Sequence, residues 1–268
     1  MKKFAMLLGD DVESLSHYAV PADVTGVLSS RLMSPPEYPL WLCVSSLEAG
    51  ATITWDDDHG DEGIYVLEGE LEVAGQQCQA GGAVIVESGV RTQATASGAS
   101  RIVHCGSWDP QPPTDGPFGP VDPDGHGVHV VGPQGWFSSG SEDGVLATWY
   151  ADATCPTCRI SMFKVARDVE GPSGGRPHTH TADEIIYILD GSMRLGSYEL
   201  GPDSSLCIPG NVRYAQSAGS NGCTFLNFRR DTSDQVYFEK GIEPVPLRET
   251  GIARGGVEVG DVVHLVMS

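Results

Sequence analysis

Basic residues are scarce in this chain: 16 Lys and Arg stand against 36 Asp and Glu, a formal charge of −20. Contact with a phosphate backbone or an anionic bilayer needs a basic field, so nucleic acid and membrane are excluded as main partners. Long apolar runs are lacking too. Nothing approaches the ~18 consecutive apolar residues of a transmembrane helix, and the stretch that follows Lys2 and Lys3 is too short for a secretion signal. The expectation is a soluble, cytoplasmic protein. No segment carries a 3.6-residue amphipathic period beyond about two turns, which argues against a helical architecture. No G-x-S-x-G elbow, phosphate-cradling loop or dinucleotide fingerprint stands in a strand-to-helix context. The seven cysteines are odd in number and widely spread, unlike a secreted disulfide framework. Cys155-Pro156-Thr157-Cys158 is the one tight pair. A structural zinc site wants two more ligands at similar spacing, and none follows, so these thiols read as incidental residues of a turn.

What is present is a repeat. Its 268 residues suit two domains, each of ~100–150 residues. Sliding the chain by 122 positions lays Asp61-Glu62-Gly63-Ile64-Tyr65-Val66-Leu67-Glu68-Gly69 on Asp183-Glu184-Ile185-Ile186-Tyr187-Ile188-Leu189-Asp190-Gly191, with six of nine residues identical. At the same offset Val90-Arg91 falls on Val212-Arg213. Between the copies, 109–135 holds seven prolines and six glycines and reads as a linker. The expected organisation is a first unit at 15–108, a second at 136–240, and a tail at 241–268 that packs across onto a neighbour. Within each copy the texture is β. Short apolar runs bounded by turn residues cover 40–44, 64–67, 83–86, 102–105, 159–165, 185–189, 205–208 and 224–228, the rhythm of a sandwich or barrel. The expected fold class is all-β, with two tandem barrels.

The second copy carries the chemistry. In Arg176-Pro177-His178-Thr179-His180-Thr181-Ala182-Asp183-Glu184, a strand aims His178 and His180 from one face, since residues two apart project together. Glu184 opens the next apolar run and can return toward them across a short turn. Two imidazoles and a carboxylate on one side of a cation leave positions open for substrate, water or dioxygen, and suit Fe(II), Mn(II), Ni(II), Co(II) or Zn(II).

These residues resemble the cupin superfamily, whose two motifs are G-x5-H-x-H-x3-4-E-x6-G and G-x5-P-x-G-x2-H-x3-N. The second copy supplies His178, His180, Glu184 and Gly191, with Pro172 at the first glycine's place. Its second motif has Pro209, Asp203 where glycine belongs, and Tyr214 where the last histidine ligand is usual. The first copy has Gly50, Glu62, Gly69 and Gly81, but Asp56 and Asp58 replace the histidines and Thr92 the last ligand. The resemblance implies a bicupin of two jelly-roll barrels, with the metal in the second. Asp56 to Asp61 reads either as a hard-cation site or as an acidic exposed loop, and His59 is out of register with the inward face.

Tyr214 has three readings: a phenolate ligand, a proton donor beside the metal, or a barrel-filling side chain. Gln216 shares its parity and offers a neutral amide oxygen to metal or substrate. Arg176 is a candidate anchor for a substrate carboxylate, which a guanidinium matches in a two-point fork, while Arg213 has surface parity. His104, His126, His129 and His264 lack ligand spacing and read as ordinary side chains. The resemblance implies a metal-dependent enzyme with one divalent transition metal, Fe(II) first, working as a dioxygenase on a small oxygenated molecule. The alternatives are a non-redox isomerase, cyclase, lyase or aminohydrolase with the metal as Lewis acid, and a binding cupin without turnover. Homodimerisation stays open.

Overall fold

Ala83–Val86 and Ser205–Ile208 show why short apolar runs suffice to build this chain. Both are strands, and every residue of each is buried. Val84 and Val86 face the core of the first barrel with Ile64, Val66 and Ile102. Ala83 and Ile85 face the other way, into a second cluster shared by both halves. In the later copy Leu206 and Ile208 face the second barrel's core, and Cys207 joins the shared cluster. A strand covered on both faces reads as continuously apolar, with no polar alternation. Each valine, leucine or isoleucine so buried stabilises the fold by about 1.5–3 kcal/mol.

The computed structural model describes residues 4–20, 22–113, 118–122, 124–140, 144–167, 175–238, 241, 243–254, 256–260 and 262–266. Pro172, at the first-glycine position of the second copy, lies outside them. Among the described residues all regular structure is β apart from one 3-10 turn at Gly9–Asp11. The first barrel packs a seven-stranded sheet on a five-stranded one, and the second a nine-stranded sheet with a three-stranded one. All pairings between named strands are antiparallel. The repeat extends to single hydrogen bonds: Asp61 Oδ1 accepts the Ser88 amide at 2.8 Å, and Asp183 Oδ1 accepts the Gly210 amide at 2.7 Å. Gly69 and Gly191, which close the matched segments, both take positive φ (80° and 70°). A Cβ there would meet Ser100 or Gly222 at under 3 Å, so only glycine fits.

The halves exchange edge strands. Ala5–Leu7, ahead of the expected first unit, pairs with Ser205–Ile208 of the second barrel. Its counterpart 122 positions on, Gly127–Val131, pairs with Ala83–Val86 of the first. The span read as a linker therefore contains a strand. Its prolines all precede or follow these five residues, which leaves the amides free to pair, and Val128 and Val130 fill the first barrel's core. The tail does not leave the chain. Pro246–Arg248 pairs with Asp234–Tyr237, Val257–Glu258 with Phe137–Gly140, and Val262–Val266 with Gly127–Val131.

Contacts across the seam set the position of the second barrel's key strand. Tyr38, from the first half, donates its hydroxyl to the carbonyls of Glu184 (2.9 Å) and Ile208 (2.8 Å), and accepts the Glu184 amide at 3.1 Å. Ser205 Oγ donates to the Met33 carbonyl at 2.5 Å. Tyr38→Phe removes the buried hydroxyl and leaves these backbone groups short of a partner, so stability should fall by about 1–3 kcal/mol. Urea unfolding would check this, an unchanged midpoint being the contrary result.

Candidate functional site

Three local devices bring the histidines and the carboxylate to one wall. His178–His180 is a three-residue strand held by Asp234–Tyr237 on one side, with a single bridge to Tyr214 on the other. Alternation buries His178 and His180 and leaves Thr179 half-exposed. The turn that follows is fixed by Ser233 Oγ, which accepts the amides of Thr181 (3.0 Å) and Ala182 (3.2 Å). The Asp183–Gly210 bond and the Tyr38 clamp then start the next strand at Glu184, which is fully buried.

The side-chain geometry is specific. His178 Nδ1 donates to the Arg176 carbonyl at 2.7 Å, while its Nε2 is buried with no hydrogen-bond partner among the described residues. Burial, followed by the neighbouring His180, pushes the His178 imidazole down to about 4, so at neutral pH its Nε2 presents a lone pair. The His178 and His180 ring centroids lie 4.9 Å apart. His180 Nδ1 bonds to Glu249 at 2.6 Å, and its Nε2 faces Glu184 Oε1 at 3.6 Å. A carboxylate behind a histidine fixes the ring's tautomer and aim. Glu184 Oε1 accepts the Tyr214 hydroxyl at 2.6 Å, and Oε2 accepts Asn227 at 2.7 Å and Arg229 at 2.8 Å. Burial alone would raise the Glu184 carboxyl, but His180, Arg229, Tyr214 and Asn227 outweigh it and hold it at about 2. Arg229 also ion-pairs with Glu249, and together the two carboxylates hold its charge against burial.

Of the candidates, Tyr214 and Gln216 are buried, and the Tyr214 ring lies 4.4 Å from that of His178 and 5.8 Å from that of His180. Burial and the charge of Glu184 push the Tyr214 phenol well above its ordinary range. Its hydroxyl donates to Glu184. Gln216 Oε1 is buried without a partner. Arg176 and Arg213 are exposed, Arg213 lying 4.7 Å over the Phe238 ring. Glu249, Asn227 and Arg229 were not anticipated. Glu249 comes from the tail, and Arg229 ends an apolar strand where a cation reads as the surface end.

The first barrel's counterpart is filled. Glu62 Oε2 accepts Trp55 Nε1 at 2.6 Å and bonds to His104 Nε2 at 2.8 Å. Tyr18 closes the other nitrogen of His104 at 2.9 Å. Asp56, Asp57 and Asp58 are exposed. His59 is pinned to the carbonyls of Gly60 and Val90.

A second convergence lies at the seam. Donor atoms of Glu87, His129, Cys155 and Cys158 all fall within 4.8 Å of one another, and among the described residues this is the one group of at least three metal-type donors gathered so closely. Cys155, Cys158 and His129, whose spacing read as that of incidental side chains, lie within this group. The Cys-x-x-Cys spacing was a signal for half of this group; no spacing pointed to Glu87 or His129, which reach it from separate strands.

No protein-family model matches the chain, and no curated protein does. Solved structures do. The putative glyoxylate induced protein from Pseudomonas aeruginosa aligns with a TM-score of 0.64 at 15% identity, covering 85% of this chain and 89% of that one. A point mutant of oxalate decarboxylase from Bacillus subtilis aligns at 0.63 and 14% identity, covering 87% and 79%. The E. coli protein Ylba aligns at 0.58 and 14% identity, covering 84% and 90%. Likeness over most of both chains at such low identity is a likeness of backbone path. The fold is that of cupin-type jelly-roll barrels, two in tandem.

Proposed function

We propose that this protein is a metal-dependent enzyme acting on a small oxygenated organic molecule, with His178, His180 and Glu184 as the residues that hold one divalent transition metal. The observation that carries this is the buried Nε2 of His178, which has a lone pair and no partner. Leaving such an atom unmatched costs stability, and a cation is what neutral imidazole nitrogens bind. His180 fits the same group, because Glu249 holds its Nδ1 and leaves Nε2 toward Glu184. A metal on this set supplies a Lewis-acid centre and, where it is Fe(II), electrons for dioxygen.

The chain's own residues do the rest. Tyr214 keeps a proton on its hydroxyl 2.6 Å from Glu184 Oε1, so this pair can give a proton to the substrate or take one from it. Gln216 Oε1, unpartnered inside, accepts a substrate O–H or N–H. Arg176, exposed next to the His178 strand, meets a substrate carboxylate as it enters. Arg229 balances Glu184 and Glu249, so that both carboxylates stay ionised while buried.

Fe(II)-dependent dioxygenation is the first reading, because two histidines and one carboxylate are the donor set that would suit Fe(II) in dioxygen chemistry. A non-redox reaction is the second. It is favoured by structural neighbours described as oxalate decarboxylase with Mn(II) centres and by the protonated Tyr214 at hand.

Purified protein should contain a first-row metal at this site, so that His178→Ala carries one equivalent less than the unmodified chain. A panel of small dicarboxylates and 2-oxo and 2-hydroxy acids, followed by an oxygen electrode and by CO2 release, separates the readings. Oxygen uptake matching product supports dioxygenation, and turnover unchanged under anaerobic conditions supports the non-redox reaction. Full turnover by His178→Ala would overturn both. Tyr214→Phe should lower turnover on the order of 10²-fold with little change in metal content. Arg229→Met strands two buried carboxylates and should destabilise the chain by about 3–5 kcal/mol, visible as a lower melting temperature.

A further inference from the structure

We infer that Glu87, His129, Cys155 and Cys158 form a second metal site, a closed four-ligand zinc site that staples the two halves of the chain. Three stretches of chain meet there. Glu87 follows the first-half strand Ala83–Val86, His129 lies in the exchanged strand Gly127–Val131, and Cys155 and Cys158 follow the second-half strand Val145–Asp152. Glu87 Oε1 is 2.7 Å from His129 Nε2 and 3.5 Å from Cys155 Sγ, and His129 Nε2 is 3.9 Å from the same sulfur. Both cysteines are free thiols.

The charge balance is the second observation. Glu87 is 0% exposed, and among the described residues no lysine or arginine pairs with it; its ionic partner is His129. In the other barrel the buried carboxylates of Glu184 and Glu249 share Arg229. Arg159, which follows Cys158, spends its donors on the backbone carbonyls of Cys155, Cys158, Gly119 and Pro120, and Arg91 pairs with Asp57. A fully buried carboxylate beside two thiols, with a histidine as sole counter-charge, is expensive to maintain. A divalent cation relieves that cost.

The donor set selects the ion. Two sulfurs and an imidazole disfavour Mg(II) and Ca(II), which want oxygen, and suit Zn(II), which takes Cys, His and carboxylate ligands in tetrahedral fours. Coordination displaces the two thiol protons and the proton shared by His129 and Glu87 into solvent. The supporting contacts are already in place. Glu87 Oε2 is held by the Gly127 amide at 2.7 Å, and Thr157 Oγ1 donates to Glu87 Oε1 at 2.6 Å. His129 Nδ1 meets His264 Nδ1 at 3.2 Å, which orients the ring from behind. Such outer contacts aim the ligands of a metal. A cavity of about 870 Å³ bordered by His129, Cys155, Cys158 and His264 gives the ion an entry path.

The test uses the full chain carrying His178→Ala, which removes the site proposed in the second barrel, purified under reducing conditions. It should retain one equivalent of zinc after desalting, and cobalt(II) in place of zinc should give an intense thiolate-to-metal charge-transfer band. Adding Cys155→Ser and Cys158→Ser should abolish both. In the chain with all its cysteines, zinc should protect two thiols from a thiol reagent and a chelator should release them, a readout independent of whether the serine variant folds. Absence of the cobalt band with intact cysteines, or a Cys155–Cys158 disulfide in peptides from the same preparation, would overturn the inference.

Discussion

Burial of two short strands on both faces at once is the constraint from which the architecture follows. Ala83–Val86 and Ser205–Ile208 cannot be solvated on either side, so each needs a barrel core beneath it and a second apolar surface above. The other half supplies that surface, and the shared cluster runs from Leu40, Leu42 and Tyr65 to Ile185, Tyr187 and Phe228. Neither barrel is a free-standing unit in this sense. Tyr38 adds direction to the packing, because its hydroxyl fixes the backbone of Glu184 from across the seam. A residue of the barrel with the filled centre thereby positions the acidic side chain of the other.

Duplication explains the division of labour. At matched positions the two copies keep the strand, its closing glycine and the aspartate bond that shapes the turn, yet they treat the inward glutamate in opposite ways. Glu62 Oε2 is taken by Trp55 and His104. Glu184 faces two imidazoles, one with an open nitrogen. The difference lies in the partners: an indole and a ring nitrogen meet the first carboxylate, whereas the second is held by Tyr214, Asn227 and Arg229 with His180 Nε2 3.6 Å from its Oε1.

Much of this was legible in the order of residues. Continuous apolar runs at 83–86 and 205–208 became strands with the same bounds, and the offset of 122 named the partners of Asp61, Glu62 and Gly69. Local periodicity was informative because a strand's neighbours in sequence decide which face it shows. What escaped was everything that depends on closure over long separations. Glu249 reaches His180 from 69 residues away, and nothing near either residue announces the other. Gly127–Val131 was hidden by the prolines around it, although its own five residues pair freely. The cluster of Glu87, His129, Cys155 and Cys158 showed only its Cys-x-x-Cys half, because its other members arrive through the strand exchange.

The crossed edge strands have a consequence for synthesis on the ribosome. The first barrel's seven-stranded sheet needs Gly127–Val131 and then Val262–Val266, so its outer edge stays unpaired until that late strand has been made. Ala5–Leu7 waits for the much later Ser205–Ile208. Vectorial folding of one barrel after the other is therefore closed to this chain. Nascent edges left open in this way invite pairing with another molecule, and a chaperone holding the early half would be guarding an unfinished seam rather than an unfolded core.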